Sequence, residues 1–156
     1  MGKTALSAGA NTFAFFTRNP RGGQAKPIDK SDADALNSFL KENSFAPLVV
    51  HAPYTLNACS DKDTVREFAR NTFADDLERM EATPGQLYNF HPGSHMKQGI
   101  ESGIKMISEM LNTIIKDSHE AVSYMILAAM MRSETGSFTT SSQTEHTTVS
   151  SVHSTG

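Results

Sequence analysis

The chain has no tryptophan and a single cysteine, Cys59, in 156 residues. One thiol excludes an intramolecular disulfide and suits a reducing compartment, so a cytoplasmic location is expected. No apolar run approaches the roughly 18–20 residues of a membrane span, and no membrane partner is expected. The opening segment, MGKTALSAGA, lacks the long apolar centre of a secretion signal. Apolar residues are nearly missing from the end of the chain: residues 133–156 hold only Phe138, Val149 and Val152, whereas 14 of those 24 are Ser or Thr. Such a stretch cannot bury enough surface to order itself, and is expected to be a disordered or non-native tail. Residues 1–132 then form one domain.

Excess positive charge is also lacking. The net charge is −3, which taken alone argues against nucleic acid. Its distribution qualifies that. Residues 1–30 carry Lys3, Arg18, Arg21, Lys26 and Lys30 against Asp29 alone, a local balance of +4. A basic entry segment on an acidic body makes either a phosphate-facing patch or an ordinary solvated loop.

Helical and strand periods alternate. Residues 3–9 read as a short helix stopped by Gly9, and 11–16 (NTFAFF) as a strand. A helix capped by Asp29 or Ser31 presents Ala35, Leu36, Phe39 and Leu40. Pro47 opens the strand LVVH (48–51). Ser60 and Asp63 read as a capping box before a helix with Val65, Phe68, Ala69, Phe73, Leu77 and Met80 on one face and charge on the other. Strand 86–91 (QLYNFH) follows. A helix over about 100–116 then lines up Ile100, Ile104, Ile107, Leu111, Ile114 and Ile115. Residues 121–127 read as a last strand. This alternation predicts βαβ units and a parallel sheet with helices over both faces.

In such folds, functional groups collect at the carboxyl ends of strands. Two strands end in histidine, His51 and His91, and adjacent parallel strands lie only about 4.8 Å apart. The two imidazoles can converge on a metal, or they are partly buried histidines satisfied by neighbours. Arg18 and Arg21, beside two glycines in TRNPRGG, can grip a phosphodiester backbone. Tyr54 on the same rim can stack on a base or anchor its own loop. His95, in HPGSH, is a phosphate contact, a partner to the site, or an exposed loop residue. Ser94 lacks any G-x-S-x-G surroundings, which argues against a serine hydrolase.

Three segments carry more than periodicity. GANTFAFFTRNPRGG (9–23), VVHAPYTLNACS (49–60) and YNFHPGSH (88–95) resemble, in order and spacing, endonuclease IV, the family-2 apurinic/apyrimidinic endonucleases of DNA repair. The resemblance covers about residues 1–127. It implies a TIM barrel of the xylose-isomerase-like type, of which this chain carries about four parallel strands with flanking helices. It implies zinc at the rim, three ions in a complete member, and hydrolysis of the phosphodiester 5′ to an abasic site in base excision repair, leaving a 3′-hydroxyl. The implied partner is damaged double-stranded DNA and the implied state a monomer. On this resemblance His51 and His91 are zinc ligands, and Arg21, Tyr54 and Thr55 lie in loops that enter the DNA at the lesion. Arg18 and His95 complete the expected DNA-contact set.

The sequence departs from that pattern at both ends. The family's first strand has no counterpart before Met1. Where a metal-ligand glutamate and Ala-Gly turn are expected after the last strand, Ala128 and Ala129 stand, with Glu134 displaced. The chain is therefore expected to be an incomplete member with an out-of-frame or fused tail, weakly active or inactive alone. Two alternatives stay open: a xylose-isomerase-like sugar-phosphate isomerase or epimerase, and a non-enzymatic α/β binding module that closes its edges by dimerisation.

Overall fold

Among the described residues four helices and four strands alternate, as the hydrophobic periods predict. In order they are α1 (Gly2–Ser7), β1 (Ala14–Phe15), α2 (Lys30–Glu42), β2 (Val49–His51), α3 (Asp63–Met80), β3 (Leu87–Phe90), α4 (Ile100–Ile114) and β4 (Tyr124–Leu127). The structure, a computed structural model, describes residues 1–21, 23–115 and 124–127. The expected tail, residues 133–156, lies outside the described residues, as does the start of the expected last strand.

Local chemistry explains the boundaries. Gly9, with φ of 77°, follows α1 in the left-handed region that stops a helix. Asp29 caps α2, its side chain accepting from the amides of Ser31 and Asp32. α3 begins later than the expected capping box. Ser60 does not cap it but accepts from Lys62 N at 3.2 Å in the run-in turn.

The strands are parallel and pair in sequence order, β1-β2-β3-β4. Val50 lies opposite Tyr88, and His51 opposite Asn89. This order corrects one expectation: among the described residues, helices do not cover both faces. When each strand pairs with the next and every crossover is right-handed, the crossover helices fall on one side. On that side Val50, Tyr88 and Phe90 are buried against Ala69, Phe73, Leu77 and Met80 of α3 and Met110 and Ile114 of α4. Phe73 meets Phe90 edge-on at a centroid distance of 4.9 Å. The opposite face, with Val49, His51, Leu87 and Asn89, is only half-buried.

Helix faces also shift slightly from the expected stripes. In α2 the buried positions are Ala33 and Leu40, and Ala35 is exposed. In α4 Ile100 and Ile104 are 59% and 60% exposed, and the helix buries Gly103 and Met110 beside the expected Ile114.

One buried charge ties the sheet to its helices. Asp76 of α3 is fully buried. Its carboxylate accepts from Thr17 Oγ1 at 2.5 Å, Arg18 Nε at 2.7 Å and Tyr88 Oη at 2.8 Å. Arg18 also pairs with Asp75 and donates to Gly23 O. Burial lowers the Arg18 pKa, but hydrogen bonding and attraction to Asp76, then Asp75, outweigh it and leave it raised. Burial, together with the Asp76 charge, holds the Tyr88 phenol well above its ordinary value.

A second device locks two loops at the carboxyl end. Asn57 Nδ2 donates to Ser94 O at 3.0 Å, and Ser94 N donates back to Asn57 Oδ1 at 3.1 Å. Gly93, with φ of 84°, allows this approach: a Cβ there would collide with Asn57 Oδ1.

Two expected outcomes follow from these contacts. Asp76→Ala strands Arg18 without its main partner in a buried site and lowers unfolding free energy by about 3–5 kcal/mol in urea denaturation. A loss under about 1 kcal/mol contradicts the buried ion pair. Gly93→Ala is destabilising by roughly 2 kcal/mol, through both clash and left-handed backbone. Adding Asn57→Ala in a double-mutant cycle recovers part of that loss; strict additivity contradicts direct contact.

Candidate functional site

His51 is the last residue of β2, and His91 lies one residue beyond β3. Register places His51 beside Asn89, so His91, two residues further, projects from the same face. The two imidazole centroids are 5.2 Å apart, tilted by 54°. Tyr54 closes the cluster at 5.4 Å from His51 and 6.1 Å from His91. Phe16 lies beside it, 5.1 Å from His51 and edge-on to Tyr54 at 5.3 Å.

The rings are prepared for ligation. His51 Nδ1 lies 2.6 Å from the Ala52 carbonyl oxygen. A carbonyl only accepts, so Nδ1 is the donor in this contact, the arrangement that leaves Nε2 as the ring's ligating nitrogen. His91 Nδ1 is buried without a hydrogen-bond partner. Burial, with the neighbouring His51 second, lowers the His91 pKa and favours its neutral form. Metal ligation requires that form.

The spacing also fits zinc. Zinc stands about 2.1 Å from a ligating nitrogen and prefers tetrahedral angles, which sets two ligated imidazole centres about 5 Å apart. Among the described residues no group of three or more His, Cys, Asp or Glu could hold a metal. The pair therefore fits as two donors of a larger ligand set.

The residues expected to contact DNA divide into two groups. Arg21 and Tyr54 come together. Tyr54 N donates to Pro20 O at 2.9 Å, and Thr55 Oγ1 donates to Arg21 O at 3.1 Å. Asn19 Oδ1 accepts from Arg21 N at 2.9 Å and shapes the turn. Arg21 is exposed and forms no ion pair among the described residues; Tyr54 is 58% exposed. Thr55 spends its hydroxyl on stitching these loops.

Arg18 and His95 are held by their own neighbours. The Arg18 side chain is 5% exposed and committed to Asp76 and Asp75. It holds the loop that presents Arg21 and has no free face for a phosphate. His95 Nδ1 accepts from Gly99 N at 3.2 Å at the start of α4, which fixes the ring against its own loop.

Three contributors are not visible in the sequence pattern. Phe16 reads as the end of an aromatic strand, Asp76 as one charge of an exposed face, and Asn57 as a loop residue. Gly93 in HPGSH is the available signal for Asn57, since a glycine in a loop marks close approach.

The chain is similar to known proteins. Residues 3–131 match the family model described as xylose isomerase-like TIM barrel. The chain is 59% identical over 116 residues to a "Probable endonuclease 4" of Clostridium beijerinckii, covering 74% of this chain and 42% of that protein. It is 46% identical over 136 residues to a "Probable endonuclease 4" of Akkermansia muciniphila, covering 87% and 49%. The chain thus spans about half the length of the curated relatives it matches. The crystal structure of endonuclease IV from Thermus thermophilus shares the fold with a TM-score of 0.64 at 22% identity, over 76% of this chain and 43% of that one. With four parallel strands in sequence order, helices on one side and a family match across most of its length, the chain belongs to the xylose isomerase-like TIM barrel family.

Proposed function

We propose that this chain carries part of the active-site rim of a zinc-dependent abasic-site endonuclease, which hydrolyses the DNA phosphodiester 5′ to the lesion and leaves a 3′-hydroxyl. The observation that carries this reading is the imidazole pair, 5.2 Å apart at the ends of adjacent parallel strands, with Nδ1 of His51 taken up by the Ala52 carbonyl. The names of the two bacterial relatives support it.

His51 and His91 are the residues that hold zinc. When bound, the metal supplies a Lewis acid that acidifies water and offsets charge on the phosphate oxygens. The Ala52 carbonyl takes Nδ1 as a donor and so orients the His51 ring. Tyr54 offers an exposed ring at the mouth. An abasic nucleotide lacks base stacking and is cheap to extrude, and an aromatic face can occupy the space its base left. Arg21 offers a free guanidinium on the same stitched loops for the phosphate backbone. Thr55, Asn19 and Arg18 hold those loops in place.

This rim suits a duplex better than a sugar phosphate. Small-ligand sites enclose most of the ligand surface, whereas Tyr54 and Arg21 stand open to solvent. Two imidazoles do not complete a zinc shell, so cleavage by this chain alone is expected to be weak.

Two measurements test the reading. In calorimetric zinc titration the wild type binds, and His51→Ala or His91→Ala each weaken binding by at least about tenfold. Affinity unchanged in both variants contradicts the assignment. Purified chain with added zinc cleaves an abasic duplex far more slowly than a full-length relative; comparable turnover contradicts the two-donor account.

A further inference from the structure

The two histidines of the pair differ in how their Nδ1 atoms are served. His51 Nδ1 meets the carbonyl of the residue that follows it, Ala52 O, at 2.6 Å. The matching carbonyl after His91 belongs to Pro92, and it accepts from Cys59 Sγ at 3.3 Å. His91 Nδ1 is buried with no hydrogen-bond partner among the described residues. A second buried atom on the same strand is in the same state: the side-chain oxygen Oδ1 of Asn89.

Register brings Asn89 to the pair. It is the Cα partner of His51 across the sheet, and its backbone oxygen accepts from Ala52 N at 2.8 Å. It also precedes His91 by two positions along the chain. Strand alternation sends both side chains from one face, with Cα atoms about 6.6 Å apart. Two short side chains at that spacing can share one hydrogen bond.

We propose that Asn89 is a positioning residue for His91: its Oδ1 accepts from Nδ1–H of the imidazole and turns Nε2 towards the metal. The proposal rests on the zinc reading and adds a residue to that site.

The two groups are complementary. A carboxamide oxygen only accepts, and a neutral imidazole has one N–H to give. One bond between them satisfies both buried atoms, each costly to leave unpaired. With the proton on Nε2 instead, both atoms stay unpaired and the ring offers an N–H where zinc needs a lone pair. Ligating histidines almost always donate their other ring N–H to an oxygen acceptor, which fixes tautomer and ring orientation. Ala52 O has that part for His51. With Pro92 O turned to Cys59, Asn89 takes it for His91. Asparagine is otherwise a poor strand residue, and here it stands between Tyr88 and Phe90, which bury their rings on the other face.

Long-range proton–nitrogen correlation NMR tests this on the full chain carrying nitrogen-15 histidine, with His91 assigned from His91→Ala. Spectra are taken at about pH 8, where imidazoles are neutral. The zinc-free wild type is expected to carry the His91 proton on Nδ1. Asn89→Leu removes the acceptor with a residue that suits a strand. It is expected to move that proton off Nδ1 in the zinc-free chain, and to weaken zinc binding roughly tenfold to hundredfold in calorimetry. Asn89→Asp keeps an acceptor oxygen and is expected to restore both. A His91 proton on Nε2 in the wild type overturns the proposal without any variant. An unmoved proton in Asn89→Leu overturns it too, even where affinity falls, since that marks a structural role alone. So does an Asn89→Asp chain that restores neither property. In each of these cases zinc binding by the wild type leaves the zinc reading standing. A wild type that takes up no zinc overturns that reading along with the proposal.

Discussion

Everything distinctive about this chain depends on the register between β2 and β3. Because His51 pairs with Asn89, the side-chain alternation of a strand puts His51 and His91 on one face and Val50, Tyr88 and Phe90 on the other. A slip of one residue would exchange the two sets. The aromatic core would then face the open side, and the imidazoles would press into α3 and α4. Burial of Tyr88 and Phe90 against Phe73 therefore fixes the position of the two histidines from the far side of the sheet. Packing energy on one face becomes geometric precision on the other.

The same economy governs the loops. Asp76 lies in α3, yet it is what Thr17 and Arg18 are fastened to. That fastening carries the turn at Asn19, the backbone of Arg21 and, through Thr55 and Tyr54, the next loop. Asn57 then ties that loop to Ser94. The rim is one connected hydrogen-bonded structure running from the first strand to the third. Exposed groups such as Arg21 and Tyr54 stand on a scaffold held by these bonds. Side chains held this way lose less entropy on meeting a ligand.

Much of the architecture was legible because it follows from local period. Apolar runs such as LVVH, and the 3–4 spacing in α3, are properties of neighbouring residues. So is the cap at Asp29. The histidine pair was legible because strand ends are easy to place and both strands end alike. What escaped depends on distant partners. Asp76 sits amid the charges of α3 and reads as solvated; its partners Thr17 and Arg18 are 59 and 58 residues away. Arg18 looked like a phosphate grip for the same reason. His95 was read by its motif, but its orientation is set by Gly99 and Gly103. The stripe of α4 was overestimated because period shows which residues share a face and not how much of that face is covered. Ile100 and Ile104 stand largely exposed.

The central claim is that His51 and His91 ligate one and the same zinc ion. X-ray absorption fine structure of the zinc-loaded chain tests it most directly, since imidazole rings leave outer-shell scattering that can be counted. The account predicts two imidazoles per zinc at about 2.0–2.1 Å in the wild type. It predicts one imidazole in either single alanine variant. A wild-type spectrum without imidazole scattering, or a count that stays at two when His91 is replaced, would contradict it.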